Sequence, residues 1–523
     1  MIVNFTAISS GIVKDVDPYD LPATPEAFLW SNGNNIRFLD DYVQKIEGHS
    51  TVGISTGVLP YWMMPITTAS TYYWLLAGLD KVYVTSNFST FSNITRQTAS
   101  VDVDYTGTAD NIWSGGVISG IPVINNGVDD PQMWSPVGTG TKLQSLTWDS
   151  GHTWATQSVT AKVIRPFREY LIALDTNESS TRYPYRLRWS TSTLSGVPST
   201  WDDTDNTEDA GYTELNQSPG FLIDCLPMRN NNIIYKEDET WIMSDAGAGQ
   251  IFRFDPLFHQ SGALAQRCIK PFFGKHLVLT TGDLIVHDGQ SIQSVIEKRM
   301  KKWLFSQIDS TNYGRSFIAP NYNKKEMWIC FPSTGMTEPD MALIWNYNDN
   351  TYALRDLPST PHIAYGIVDP SSDVFIDSYN TIIDTIDTLI DVRNYNPTVQ
   401  SLLMVQGNSL YKADDTNRFS LQSYTAYVER IGMDLGDPNR FKLVKRVYIR
   451  AKSGSGVFTV KIGSQFVKNG DITWSSQTFD PSTDEYVNFL VNGKYIGIRF
   501  ESISEYSWGV QSFGIEYEFS GRF

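Results

Sequence analysis

The sequence predicts an all-β protein: a β-propeller-like central domain, a C-terminal β-sandwich and an extended N-terminal arm. Three observations predict it. Strand pairs joined by short turns recur along the middle of the chain, sustained i, i+3, i+4 periodicity is nearly absent, and the composition is rich in aromatics and poor in charge. Aromatic residues make up 13% of the 523 residues, with Trp 15 and Tyr 27, while charged residues make up 19%. That balance suits half-buried pleated faces and not disorder, which needs low hydrophobicity and high charge. At 41% hydrophobic the chain can bury a sizeable core, and a single propeller can absorb most of such a length.

Residues 1–58 carry little regular pattern. Pro18, Pro22 and Pro25 and the run Asn32-Gly33-Asn34-Asn35 predict an arm or platform region that lies on another surface. Residues 59–422 are assigned to the propeller. Residues 72–84 read YYWLLAGLDKVYV, residues 233–244 IIYKEDETWIMS, residues 276–289 HLVLTTGDLIVHDG and residues 401–414 SLLMVQGNSLYKAD; MWICFP and ALIWNYNDNTYAL follow one another within 327–354. Each is a strand pair around a short turn, with Gly, Asn or Asp at most of them. The pairs return at intervals of roughly 45 to 60 residues, the period of a four-stranded blade that buries its faces only by stacking on neighbours. A large β-sandwich is the competing architecture. The best helical candidate is 295–305. Spaced isoleucines in 376–392 fit either a helix or short β-rungs. The irregular stretch 191–217 is a candidate gate or docking loop. Residues 423–523 form the sandwich: Val447, Ile449 and Ala451 alternate with Tyr448 and Arg450, and Phe513, Ile515, Tyr517 and Phe519 close the chain. Asn492-Gly493, between NFLV and KYIGIRF, reads as a hairpin turn.

The formal charge of −16 and pI near 4.8 argue against a protein that grips nucleic acid through its phosphates, which requires clustered Lys and Arg. An acidic surface repels DNA, as a conduit for it should. Cys225, Cys268 and Cys330 are too far apart for a zinc motif and are read as buried hydrophobes in a reducing cytoplasm. The start lacks the basic and apolar regions of a secretory leader, and no apolar run reaches the roughly 18 residues of a membrane span.

Residues 147–154, TWDSGHTW, match the Asp-box of sialidase-like propellers: Asp149 is expected to accept backbone N–H bonds across a turn, Gly151 to take the unusual φ, and Trp154 to pack beneath. In such propellers the motif is structural. Gly53-Ile54-Ser55-Thr56-Gly57 fits GxSxG, but no helix pattern follows, so a plain turn is expected. His259, His276 and His287 share a region without metal spacing. Asp245-Ala-Gly-Ala-Gly-Gln250 lacks the third glycine of a dinucleotide loop. Asp202, Asp203, Asp205, Glu208 and Asp209 do not match an EF-hand; a solvated loop is preferred to a Ca²⁺ site. No catalytic, cofactor-binding or metal-ligating residue is assigned and no cofactor is expected.

Several phrases resemble the tail nozzle, or tail stabilisation, proteins of short-tailed bacteriophages. They are Asp20 through Phe38 (DLPATPEAFLWSNGNNIRF), Val43 through Gly48 (VQKIEG), Val123 through Trp134 (VINNGVDDPQMW), Ile234 through Trp241 (IYKEDETW) with Phe252 to Pro256 and Ser261-Gly-Ala263, and, near the end, Gly432 through Asp437, Lys445-Arg446, Gly493 through Phe500 and Gly521-Arg522-Phe523. The resemblance implies a non-enzymatic virion protein made in a bacterial host's cytoplasm. It implies a homohexameric ring below the portal and its adaptor (head-to-tail connector) protein, passing genomic DNA through its lumen without sequence-specific binding and holding tail fibres or receptor-binding proteins. The alternative is a carbohydrate-binding or glycan-cleaving propeller. Aromatics gathered in one pocket with paired carboxylates would favour it; aromatics spread through cores and interfaces favour the ring subunit.

Overall fold

A computed structural model of the chain describes residues 1–68, 71–205, 207–247, 250–368 and 400–522. The segment 376–392 lies outside them.

Among the described residues seven four-stranded antiparallel sheets follow one another. Their first strands are Trp62–Thr67, Ser114–Ile118, Val159–Phe167, Leu222–Met228, Ile269–Phe272, Phe317–Asn321 and Ile363–Ile367, and we number the blades I to VII in that order. Every neighbouring pair shares an apolar core. Trp62 and Leu75 of blade I meet Ile124 of blade II; Ile118 and Val123 meet Ile164 and Leu171; Val163 and Leu174 meet Cys225 and Ile234; Ile233 and Tyr235 meet Val278 and Ile285. One large cluster runs through blades V, VI and VII, and Leu403 and Val405 of blade VII return to Trp74 and Leu76 of blade I. The sheets therefore form a closed ring, with the first strands lining its axis. The five predicted strand pairs are all hairpins. Between Gln406 and Ser409 the required positive φ falls on Gly407 (+54°).

The ring closes through the start of the chain. Blade VII consists of Ile363–Ile367, Gln400–Gln406 and Ser409–Ala413, with His49–Ile54 as its outermost strand. The preceding residues belong to the sandwich. One sheet orders Ile36–Leu39, Tyr42–Lys45, Gly509–Arg522, Arg440–Ala451 and Tyr486–Gly493, with Ile2–Phe5 paired to Gly509–Arg522; the other orders Asn32–Asn34, Ala426–Met433, Tyr495–Ser502, Phe458–Gln465 and Thr473–Phe479. The surface on which residues 1–58 lie is thus the chain's own. Phe28 packs between Phe5 and Phe513 at centroid distances of 5.1 and 5.4 Å, and Trp30 is fully buried. The propeller domain accordingly takes its last strand from the region read as an arm.

Two further expectations are corrected. Asn492-Gly493 is not a hairpin: Tyr486–Gly493 pairs with Arg440–Ala451, whereas Tyr495–Ser502 pairs in the opposite sheet. The chain turns the corner of the sandwich there, and neither residue takes the positive φ that a tight hairpin demands. The stretch 191–217 is not wholly irregular. It supplies the fourth strand of blade III, Gly211–Glu214, and the fully buried Trp201, so it is not removable as a loop. The helical candidate at 295–305 yields one short helix, Lys301–Gln307.

Candidate functional site

The first strands send alternate side chains to the two faces of their blades, and the gaps left between them near the axis are lined from several blades at once. Where those strands begin, a cavity of about 550 Å³ opens, lined by Lys162, Glu237, Asp238, Gln266 and Arg315 among others. Arg315 is committed to Asp110 at 2.8 Å and Glu338 at 2.7 Å. Deeper along the axis a second cavity, of about 350 Å³, is lined by Met63, Arg165, Arg267, Lys270 and His362.

The residues singled out by sequence do not converge on either cavity. The Asp-box is a hairpin, with Thr147 paired to Thr153 and Asp149 to His152. Gly151 takes φ +91°, and Trp154 packs edge-on against Trp148 (5.3 Å) and Trp201 (4.9 Å). Asp149 differs from expectation: its carboxylate meets the His152 ring at 2.5 Å. Gly53 and Ile54 end the outermost strand of blade VII and Ser55 has φ +57° in a turn, without the helix a nucleophile elbow requires. The acidic run disperses. Asp202 and Asp205 cap Thr204 and Thr207, Asp203 pairs with Arg188 at 2.7 Å, and Glu208 and Asp209 accept from Thr191 and Ser192. Among the described residues no three His, Cys, Asp or Glu side chains gather as a metal centre would need. Burial pushes the Cys225 and Cys268 thiols up to about 12 and that of Cys330 higher still, so all three are neutral, unreactive fillers.

His276 and His287 do meet, in the core between blades IV and V, on the Tyr235 hydroxyl (2.7 Å from each). His276 Nε2 lies 3.0 Å from the Pro227 carbonyl, so it carries the proton and Nδ1 accepts from Tyr235. Tyr235 in turn accepts from His287 Nε2. Burial pulls both imidazoles down to about 4, against about 6.5 in an unfolded chain. Between those values the unfolded chain holds the extra protons, so this contribution is complete above pH 6.5 and lost as pH falls towards 4. The two rings should contribute on the order of 5 kcal/mol to the drop in stability recorded by denaturant melts across that window, to which His49 and His362, pulled down by burial in the same way, add. In His287→Phe the slope between pH 6.5 and 4 should be visibly shallower; an unchanged slope would remove these rings as its source.

Sequence reasoning missed an arginine ladder on blade III. Arg186 stacks over Tyr183 (3.6 Å) and Tyr212 (4.3 Å), and Arg188 over Trp148 (5.2 Å). The alternation Arg182-Tyr-Pro-Tyr-Arg186-Leu-Arg188 held that signal. Both Arg186 and Arg188 are neutralised within the ladder: Glu178 (2.9 Å) and Glu214 (2.7 Å) hold Arg186, and Glu178 (3.3 Å) and Asp203 (2.7 Å) hold Arg188. The ladder stiffens a blade face and leaves little charge for an anionic sugar.

Fold and cavities together define an all-β protein in which a seven-bladed propeller is sewn to a sandwich by its own N-terminal segment. No family model and no curated protein matches the chain. Solved structures similar to it include an uncharacterised protein from Desulfotomaculum acetoxidans (10% identity, TM-score 0.33, covering 60% of this chain and 94% of that one). A glycoside hydrolase is 11% identical (TM-score 0.25, 89% and 99%), and a fungal alcohol oxidase 8% identical (TM-score 0.39, 89% and 93%). Likeness this distant carries no functional argument. No described helix is long and apolar enough to cross a membrane.

Proposed function

We propose that the chain is a non-catalytic structural subunit of the tail nozzle of a short-tailed bacteriophage, assembling as a homohexameric ring beneath the portal and adaptor. The observation that carries this reading is where the large aromatics sit. Trp134 lies between blades I and II, Trp154 and Trp201 between II and III, and Trp328, Trp30 and Trp508 in the cluster shared by propeller and sandwich; all are fully buried. These six tryptophans serve cores and joints, as a load-transmitting part requires, and the aromatic-lined cavity of Phe272, Phe273, Trp345 and Tyr347 has no carboxylate in its wall among the described residues. The resembling phrases fall on such joints as well: Asn34 and Asn35 reach Asp356 of blade VI at 2.8 Å, and Val123 through Trp134 builds the second and third strands of blade II. Six copies of a −16 chain would present DNA with a repelling surface.

An assembly face fits the same reading. Among the described residues Tyr486–Gly493 is the open edge of its sheet, and Leu490 on it is 82% exposed, with Tyr486 on the same face. Unpaired edges with exposed apolar residues are templates for association, and head-to-tail contacts of this kind close into rings. Electron microscopy of the purified chain, alone and mixed with the adaptor complex, should show a sixfold ring with a central channel. Leu490→Glu should leave melting unchanged and weaken the ring. Single discs that never join the adaptor would overturn the proposal, and glycan binding and cleavage assays would then decide the carbohydrate alternative.

A further inference from the structure

The deeper axial cavity gathers three cations around one carboxylate that is already spent. Arg165, on the first strand of blade III, is held by Asp224 of blade IV through Nε (2.8 Å) and Nη2 (2.7 Å), and its Nη1 donates to the Gly115 carbonyl at 3.1 Å. Arg267, just before the first strand of blade V, is buried. Its Nη1 donates to the Tyr61 carbonyl (3.1 Å), its guanidinium lies 5.6 Å from the Phe317 ring centroid, and its Nε has no hydrogen-bond partner among the described residues. The ammonium of Lys270, on that strand, makes no hydrogen bond or ion pair among the described residues, and the residue is half-buried at the cavity wall. His362 Nδ1 accepts from the Met63 N–H at 3.1 Å, which leaves the proton of the neutral ring on Nε2. All four residues line the same space of about 350 Å³.

Arg165 and Asp224 cancel, and among the described residues no carboxylate lines the cavity, so Arg267 and Lys270 face it with no anion in contact, Glu338 acting on Arg267 only from outside, inside a chain of net charge −16. Buried charges persist when something pairs with them. We propose that this cavity is a binding site for a phosphate group, free or carried by a small molecule. A phosphate offers oxygens to both of these cations at once. Phosphate oxygens suit a guanidinium fork beside a point ammonium, and the volume exceeds what the phosphate alone fills. Burial, with Arg165 and Arg267 beside it, pulls the Lys270 ammonium down to about 8; a bound anion removes that penalty.

Titration calorimetry of the full chain with inorganic phosphate, in chloride buffer of matched ionic strength, tests this. One phosphate should bind per chain, and phosphate should raise the Tm above that in the matched chloride buffer. Lys270→Gln should weaken binding by about tenfold or more, the loss of one charged hydrogen bond. Because its neighbours are like charges, Lys270→Gln should melt no lower than the parent without phosphate. A small sugar phosphate run alongside separates the two sources: tighter binding than inorganic phosphate assigns the remaining volume to an organic part, and equal binding assigns the site to the free ion. Absence of phosphate heat, a Tm rise retained in full by Lys270→Gln, or a Lys270→Gln chain that fails to fold would each overturn the proposal.

Discussion

A chain that begins at residue 55 is expected to yield no folded protein. The deletion strips the outermost strand from blade VII, removes Ile2–Phe5, Asn32–Asn34, Ile36–Leu39 and Tyr42–Lys45 from the two sandwich sheets, and uncovers the partners of Phe5, Phe28, Trp30, Ile36, Phe38 and Val43, all essentially buried. Losing one buried aromatic already costs about 3–5 kcal/mol, and a domain's whole stability is about 5–15 kcal/mol. The apolar cluster running through blades V to VII also takes in both sandwich sheets, so the damage is not confined to one domain. Solubility and a circular-dichroism melt of the truncated chain check this. A soluble product with a cooperative transition would mean that the ring closes without its borrowed strand. Trp30→Ala is the milder version, with an expected loss of about 3–5 kcal/mol in denaturant melts.

That borrowed strand also marks the limit of what the sequence made legible. The hairpins were readable because turn chemistry and alternation are local. Leu403, Val405 and Leu410 announce a buried pair around Gly407 whatever they pack against. His49–Ile54 gave no such signal, because its partner is Ser409–Ala413, far along the chain, and an edge strand needs little apolar pattern of its own. Asn492-Gly493 misled for the converse reason: the dipeptide favours a turn locally, but the two flanking strands have better partners in opposite sheets, and the sandwich fold overrode the preference. The axial cations were invisible for a third reason. Arg165, Arg267 and Lys270 stand in different blades or around one strand start, and only ring closure brings them to one cavity. The Asp-box was legible in its Gly151 and Trp154 but not in Asp149, whose partner is the ring of the variable position His152.

The second large effect is expected at Asp414, where the N-terminal segment is bolted to the propeller. Arg37 donates to Glu326 through Nε (2.6 Å) and Nη2 (3.0 Å) and to Asp414 through Nη2 (2.5 Å). Arg355 reaches the other Asp414 oxygen at 3.1 Å, and the Asn321 amide donates to Asp414 at 2.6 Å. Arg37, Glu326 and Arg355 are at most 2% exposed as side chains and Asp414 9%. Burial alone would raise the Asp414 carboxyl, but Arg37 and Arg355 hold it below the ordinary carboxylate range; its stabilisation is present above pH 3.8 and lost as pH falls through the lowered value, below the histidine window. Asp414→Ala leaves Arg37 paired with Glu326 but strands Arg355, whose Nε and Nη2 already lack partners among the described residues, between Trp328 and Phe419 without its ion-pair partner. An uncompensated buried charge costs about 3–5 kcal/mol, so denaturant melts should record a loss of that size. Arg418→Ala, which breaks an ion pair whose side chains are 41% and 48% exposed, should cost less than about 1 kcal/mol. The decisive variant is the pair Asp414→Ala with Arg355→Met. If the penalty comes from a stranded charge, removing that charge too restores part of the loss, and the two changes together cost less than their sum. Strict additivity would assign the loss to packing around Asp414 and Asn321 instead.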